Sequence, residues 1–327
     1  MIEHYKTHLV EGPQGQLLGV LDHIEAPCKG SWVSVVGPGP QDKEWLQDVL
    51  GVSEDFLRSS LDDEETARVE YDEDTRQTLV IIDCPFVEEE AEAVDQSIVQ
   101  YDTHPLAVLF LPEQDVIVTV TLRPNDAVQA VTQGRIREVN TAQRSRFLLQ
   151  VLLYVSQRYQ TDLRSISRQF RENERRLRRS MRSADLVKML GFEKSLVYFE
   201  SSLKQFSVLL ERIRYGRAIR MYEDDRDLLE DVMVEVRQAR EMCEIDTEVL
   251  NQTMDTFSTI INNNMNDTMH MLAIITLVLS VPTMVYGFYG MNTPLPADKT
   301  WWVPLILSVF LSALSYVWLT HIHSHPR

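Results

Sequence analysis

The feature that most constrains the fold of this chain is a pair of uncharged apolar runs near its C-terminal end, residues 271–290 and 301–320. Each run has 20 residues and would be about 30 Å long as a helix, which matches the hydrocarbon core of a bilayer. Aromatic residues lie near both ends of the second run, as in the aromatic belts of membrane helices. The runs therefore predict two transmembrane helices joined by a short external loop, residues 291–300. Two core helices of a soluble protein are the alternative.

The first 134 residues have the pattern of a small α/β domain. Eight of the 13 prolines lie between Pro13 and Pro124, and no proline follows until Pro282. Proline breaks helices, so this part is expected to hold a sheet and the middle of the chain long helices. Short runs rich in Val, Ile and Leu predict strands, and helical spacing predicts two short helices. The predicted strands are residues 31–36, 77–83, 106–111 and 115–121, and the helices are 42–50 and 126–132.

Residues 135–270 are predicted to form three long helices. The first covers about 141–181 and the second about 184–216, and the third starts near Asp224 and continues into the membrane. The third helix has an apolar stripe at steps of three, four or seven residues, which is typical of a helix packed along other helices. The stripe consists of Leu229, Val232, Val236, Ala239, Cys243, Leu250, Phe257 and Ile260.

Charge is distributed in blocks of opposite sign. The chain has 32 basic and 49 acidic residues, a net charge of −17, but residues 135–220 alone carry 20 basic and 8 acidic side chains. A basic block of this kind can bind nucleic acid, yet here acidic residues interrupt it and stacking aromatics and known motifs are missing. We therefore expect it to balance the acidic first domain, and we expect no nucleic acid partner.

Several function classes find little support in the sequence. Three widely spaced cysteines without a C-x-x-C pair disfavour a disulfide framework and a structural zinc site. The sequence has no Walker motif and no arrangement of a nucleophile with a base, so an enzyme is the weakest hypothesis. Because the N-terminus has no signal-peptide pattern, we expect a cell-membrane protein with both termini in the cytoplasm. The tail, residues 321–327, holds His321, His323 and His325, which could bind a transition metal.

Polar and small residues of the first apolar run follow one face of the predicted helix. They recur at steps of three and four residues, and the face extends toward the cytoplasm through less polar positions. Close helix packing through small residues is one interpretation, and a pore wall built from several copies of this helix is the other. The face consists of Thr276, Ser280, Thr283, Gly287 and Gly290, and its extension of Leu272, Met269 and Asn266.

The end of this face carries a recognisable motif. Residues 286–292 read Tyr-Gly-Phe-Tyr-Gly-Met-Asn, at the outer end of the first membrane helix of a C-terminal hairpin. The motif resembles the Gly-Met-Asn signature of the CorA family of magnesium transporters. Asp255-Thr-Phe-Ser and Asn266, ahead of the apolar run, also fit the family pattern. The resemblance covers the whole architecture, although the N-terminal third matches more in shape than in residues.

The resemblance implies a funnel-shaped homopentamer in which the first membrane helix of each subunit lines a central pore. Gly290, Met291 and Asn292 would form the selectivity filter, whose amide and carbonyl oxygens hold a hydrated Mg²⁺ through its water protons. Thr276, Ser280 and Thr283 could bind the same water shell further in. Uptake would be passive, since two charges crossing 100 mV gain about 4.6 kcal/mol. Co²⁺ and Ni²⁺ are expected minor substrates.

The resemblance also implies a gate and a sensor. Leu272 and Met269 lie where the family places an apolar constriction, which blocks ions by dewetting. In the family, cytoplasmic Mg²⁺ bridges carboxylates of neighbouring subunits and holds the closed state. Asp231, in the acidic tract at the start of the third long helix, is the expected ligand, and a solvated helix start is the alternative.

Two other functions remain open at this stage. The related zinc-transporting branch typically replaces the Met of the signature, and Met291 is present, which favours magnesium. A membrane-anchored scaffold that conducts no ions belongs to a different class and predicts that the Asn292 side chain is dispensable.

Overall fold

The computed structural model describes residues 1–11, 17–88, 100–136, 139–179, 183–216, 218–291, 300 and 302–323. It divides into two compact units, Met1–Asn251 and Gln252–Arg327. The first unit contains a sheet, its covering helices and a helical bundle. The second contains the two apolar helices.

The first unit is built on a seven-stranded sheet. The spatial order is β2-β1-β3-β7-β6-β5-β4, in which β3 and β7 are parallel and the other neighbours antiparallel. In chain order the strands are β1 (Ile2–Glu11), β2 (Leu17–Ile24), β3 (Ser31–Val36), β4 (Arg68–Tyr71), β5 (Thr78–Val87), β6 (Tyr101–Leu111) and β7 (Val116–Thr121). Helices α1 (Pro40–Asp48), α2 (Glu54–Ser60) and α3 (Asp126–Thr132) follow β3, α1 and β7.

Helices cover the sheet on both faces. Because alternate residues of a strand point to opposite faces, each strand contributes side chains to both layers of packing. Val33 and Leu109 belong to the apolar core on the side of α1 and α2, where Leu46 is fully buried. On the other side, the fully buried Trp32 lies 5.4 Å, between ring centroids, from Phe147 of a long helix. The central strands are buried on both faces, so they read as continuous apolar runs.

Three long helices complete the first unit: α4 (Arg144–Arg179), α5 (Ser183–Tyr215) and the beginning of α6 (Glu223–Tyr289). Polar side chains join α4 to α6 along their length. Ser145 bonds Asp225 at 2.5 Å, Gln160 bonds the backbone oxygen of Glu235 at 3.1 Å, and Ser167 bonds Asp246 at 2.6 Å. Because the partners advance together along both helices, α4 and α6 run parallel.

The second unit consists of the end of α6 and of α7 (Trp302–His323). Both helices contain a stretch of 18 residues that is apolar enough to cross a membrane, with mean hydropathies of 2.0 and 1.9, and only 6% of each stretch is buried within the chain. The α/β domain, the long helices and the two C-terminal apolar helices of the sequence prediction are confirmed.

The predicted elements are present with small shifts, and four elements were missed. Strands β5 and β6 are longer than predicted, because the ladder continues past Pro85 and Pro105. The expected apolar stripe of α6 is buried from Leu229 to Phe257, but Ile260 is 37% exposed. The missed elements are β1, β2, α2 and β4; the faces of β1 are half-buried and mixed in polarity, so they give no apolar alternation.

Candidate functional site: the polar face of the first apolar helix

The predicted polar face lies on one continuous helix. α6 runs without a break from Glu223 to Tyr289 and passes through Pro282, which removes only one backbone donor. All five members of the polar face are exposed in the chain. They are Thr276, Ser280, Thr283, Gly287 and Gly290.

The covered side of α6 lies opposite this face. At about 100° per residue, the buried and half-buried positions centre about 180° from the polar face. They are Ile274, Val278, Val281, Pro282, Val285 and Tyr289. Ser308 of α7, itself 2% exposed, donates a hydrogen bond to the Tyr286 hydroxyl at 3.3 Å, beside Val285. The polar face is therefore not the surface by which α6 packs against α7.

The three hydroxyl groups of the polar face all donate to backbone oxygens three or four residues back in the same helix. Thr276 donates to the backbone oxygen of Leu272 at 2.8 Å, Ser280 to that of Leu277 at 2.7 Å, and Thr283 to that of Leu279 at 3.3 Å. Each proton is thus directed into the helix, and each hydroxyl oxygen is left as an acceptor on an exposed surface. Such oxygens suit the water protons of a hydrated cation.

The two glycines of the face differ in their surroundings. A β-carbon added to Gly287 would find no atom within 4 Å, so nothing in the described chain makes use of its small size. At Gly290 the added carbon would lie 3.2 Å from the backbone oxygen of Tyr286. Gly290 and Met291 form the turn that follows α6, with Met291 N–H donating to Phe288 at 3.3 Å. Asn292, the third predicted filter residue, lies outside the described residues.

The predicted gate residues are also exposed. Leu272 is 64% and Met269 is 59% exposed, and both fall on the polar face extended toward the N-terminal end of α6. Asn266 is exposed at the margin of this face, about 80° from its centre. The face therefore changes from small and polar side chains to large apolar ones toward the N-terminal end of α6.

Asp231 lies on the exposed side of α6 in the first unit. A carboxylate oxygen is the type of ligand that Mg²⁺ takes, so the side chain suits the predicted role. Among the described residues, no group of three or more His, Cys, Asp or Glu side chains is placed to hold a metal ion. A Mg²⁺ ion held at Asp231 would therefore need further ligands, from water or from another copy of the chain.

Sequence reasoning missed a group of buried ionisable residues at the ends of β5 and β6. Burial raises the pKa of Asp83 to about 6 and that of Cys84 to about 12, and it lowers the pKa of His104 to about 4. The His104 Nε2 accepts a 2.9 Å hydrogen bond from the Asn125 side-chain amide. Cys84 and His104 are buried within the sheet and Asp83 is half-buried, and a high thiol pKa makes Cys84 unreactive. Asp83 and His104 interrupt apolar runs, which was the only signal in the sequence.

Similarity to known proteins extends over nearly the whole chain. Residues 29–321 match the family model described as "CorA-like Mg2+ transporter protein". The curated "Cobalt/magnesium transport protein CorA" of Methanocaldococcus jannaschii is 26% identical over 303 residues, 88% of this chain and 89% of that protein.

Solved structures show the same fold. The complete structure of the CorA magnesium transporter from Methanocaldococcus jannaschii superimposes with a TM-score of 0.75 at 22% identity, covering 100% of this chain and 98% of that one. The full-length CmaX protein gives a TM-score of 0.71 at 19% identity and 97% coverage of both chains. With the family model matched from Lys29 to His321, the chain belongs to the CorA-like Mg²⁺ transporter protein family.

Proposed function

We propose that this chain forms a homopentameric channel for hydrated Mg²⁺, with the polar face of α6 as the pore wall. Members of the family are transporters and not enzymes, and membership makes this chain a divalent cation transporter of the CorA type. The name of the Methanocaldococcus jannaschii relative adds cobalt to magnesium, and we extend both ions to this chain. Five copies of α6 around an axis would enclose the pore that one hairpin cannot form.

One observation carries the proposal: the polar face of α6 is exposed and lies opposite the covered side. A polar row of this kind on a membrane helix is costly against lipid, so it needs another polar or aqueous surface. Because the covered side of α6 lies opposite the polar face, the polar face does not serve to pack α6 against α7. The open space beside Gly287 further argues against close packing within the chain.

Hydrated Mg²⁺ fits the chemistry of this wall. Mg²⁺ loses its water reluctantly, and the protons of that water need acceptors. Thr276, Ser280 and Thr283 offer hydroxyl oxygens whose own protons are occupied by the helix. We assign the filter to Gly290, Met291 and Asn292, which would present uncharged oxygens at the pore mouth. Weak, uncharged binding allows an ion to leave again, as conduction requires.

We assign the gate to Leu272 and Met269 and the sensor to Asp231. Rings of five exposed apolar side chains would exclude water from a narrow pore and so block hydrated ions. Mg²⁺ bound between Asp231 and a carboxylate of the neighbouring subunit would hold the closed state. Loss of this ion would leave like charges facing each other, and their repulsion favours opening.

We place the protein in the cell membrane with two spans, α6 from about residue 271 and α7, and with both termini in the cytoplasm. Two spans put both ends of the chain on one side, and residues 291–300 then form the external loop. Residues 1–134 would be the cytoplasmic α/β domain, 135–270 the cytoplasmic helices and 321–327 the tail. The membrane potential would drive Mg²⁺ inward without ATP.

Ion flux into liposomes that contain the purified protein tests the proposal. We expect Mg²⁺ uptake that increases with an inside-negative potential and falls at least about tenfold in Asn292→Ala. Thr320→Ala is the matched control: its hydroxyl also bonds to its own helix, at 2.9 Å from the Tyr316 oxygen, but on α7. Absence of Mg²⁺ uptake by the wild type above that of protein-free liposomes would favour the non-conducting scaffold, and equal uptake by wild type and Asn292→Ala would remove Asn292 from the filter. Uptake of Zn²⁺ in place of Mg²⁺ would favour the zinc-transporting branch.

A further inference from the structure

A polar cavity of about 690 Å³ lies in the first unit, and the transport proposal gives no role to the residues that line it. Three segments form most of its wall: the β4–β5 hairpin, the first turn of α4 and the residues just before α6. These segments contribute four arginines and two tyrosines. They are Tyr71, Arg76, Arg144, Arg146, Arg220 and Tyr222.

Three aspartates also line the cavity, but two of them already have partners. Asp115 forms an ion pair with Arg144. Asp225 is 3% exposed and accepts hydrogen bonds from the Ser145 hydroxyl at 2.5 Å and from the Tyr222 backbone N–H at 3.3 Å. Asp224 is thus the one lining carboxylate for which the described residues supply no such partner.

The remaining arginines give the cavity an excess of positive charge. In the part of the chain that the structure describes, neither Arg76, Arg146 nor Arg220 has a carboxylate within 4.0 Å, although the Arg220 guanidinium lies 5.6 Å from the Tyr222 ring centroid. Four guanidinium groups thus face three carboxylates: Arg144 is paired with Asp115, and the other three arginines stand against Asp224 and Asp225, which leaves a surplus of one positive charge. Planar guanidinium groups bind phosphate through paired hydrogen bonds, so this surplus favours a phosphate group as ligand.

The local backbone adds to the argument. The first turn of α4 has no acidic residue and carries Arg144 and Arg146 instead, although the positive end of a helix dipole disfavours cations. Among the described residues, positive φ outside glycine occurs at Arg76 (57°) and Asp115 (58°), and both line this cavity. Unfavourable charge and an uncommon backbone conformation thus coincide at one place, as is typical of ligand sites.

We propose that this cavity binds a phosphate-bearing small molecule of nucleotide size. The arginines would hold the phosphate, and a volume of about 690 Å³ exceeds what a free phosphate needs while fitting the usual range of ligand pockets. Tyr71 and Tyr222, 47% and 59% exposed, supply ring faces on which a base can stack. Its wall includes the first residues of α6, the helix whose other end carries the polar face.

Calorimetric titration of the purified full-length protein with AMP tests the proposal. AMP binds Mg²⁺ weakly, so the titration can be made at constant Mg²⁺ concentration, and inorganic phosphate serves as a second probe. The informative variants are Arg146→Gln and Arg76→Gln, the latter on an exposed turn where folding is not at risk. Arg58→Gln is the matched control, because Arg58 is an exposed arginine on α2 outside the cavity.

We expect AMP to bind at low salt, with an affinity at least about tenfold weaker in each cavity variant and unchanged in Arg58→Gln. AMP should bind at least about tenfold more tightly than inorganic phosphate, because only AMP can stack on the tyrosines. Absence of AMP binding at millimolar concentration, or equal affinities in wild type and both cavity variants, would overturn the proposal. Equal affinities of AMP and phosphate would overturn the assignment to a nucleotide. Because no transport is measured, these results are independent of the channel proposal.

Discussion

Ser145 donates its hydroxyl proton to a carboxylate oxygen of Asp225 at 2.5 Å, which joins the first turn of α4 to the first turn of α6. Both residues are buried, at 4% and 3% exposure. Little of either side chain is exposed although both line the polar cavity, so the bond is largely shielded from water, and it fixes the start of the helix that continues into the membrane.

Ser145→Ala should lower the free energy of unfolding by about 1.5–3 kcal/mol, because a buried carboxylate loses a hydrogen-bond donor. Chemical unfolding of the purified protein measures this. Ser207→Ala is the control, since its hydroxyl bonds only to the Leu203 backbone oxygen of the same helix. Similar losses of stability in both variants would show that the bond to Asp225 contributes no more than a hydrogen bond within a single helix.

Asp83→Asn should stabilise the protein at pH 7 and have little effect near pH 4. Burial raises the pKa of Asp83 to about 6, so the folded state binds a proton more tightly than the unfolded state does. The corresponding stability is present below about pH 4 and is lost as the pH rises through 6, which costs about 2–3 kcal/mol. The asparagine avoids this loss. Unfolding measured from pH 4 to 7 should show a gain that grows with pH, and Asp74→Asn, on an exposed turn, is the control of equal chemical change.

Thr283→Cys in a protein with Cys28→Ser should react with a water-soluble cationic thiol reagent in membranes, and the reaction should block Mg²⁺ uptake. Cys84 and Cys243 are buried and should contribute little background. Met284→Cys, at the next position and 76% exposed, is the control and should not block uptake, because it lies about 100° away around the helix. Block at Met284 with none at Thr283 would contradict the orientation of the proposed pore.

Leu272→Ser should increase Mg²⁺ leak at high internal Mg²⁺ several-fold, because a hydroxyl keeps water in a constriction that leucine dries. The matched control is Leu277→Ser, an exposed leucine about 140° away around the same helix. Flux into liposomes preloaded with Mg²⁺ distinguishes them. An equal leak in both variants would show that the leak comes from general loosening of the membrane helices and not from the gate.

Asp231→Ala should raise the internal Mg²⁺ concentration that closes the channel, by at least about threefold, because it removes a proposed ligand. Flux is measured against internal Mg²⁺ concentration, with Glu172→Ala on the exposed side of α4 as a control of equal charge change. Unchanged closure in Asp231→Ala would remove this residue from the sensor.

The sequence predicted the long helices and the central strands well because each has one strong signal. The α6 positions from Leu229 to Phe257 follow a helical period, and they are buried as expected. The β1–β2 hairpin gave no such signal: residues such as His4 and Lys6 pair across strands through backbone bonds, which leave no trace in composition. Ile260 was assigned to the buried stripe because period alone does not show where neighbouring helices end.

The candidate site was predictable in position but not in geometry. Spacing placed Thr276, Ser280 and Thr283 on one face, and α6 is helical throughout this stretch, as that spacing requires. Spacing could not show which side of α6 is covered, because that depends on where Ser308 and the rest of α7 pack against α6. The cavity around Arg76 and Arg146 was not predicted at all, since its walls come from segments about 70 residues apart in sequence.

The direction of the three hydroxyl protons has a consequence for the sign of the ions admitted. With each proton committed to a carbonyl of its own helix, the proposed wall offers lone pairs and withholds hydrogen-bond donors. Chloride needs donors, and it would meet only negative ends of dipoles along this row. The pore could thus reject anions without a single carboxylate in its membrane portion.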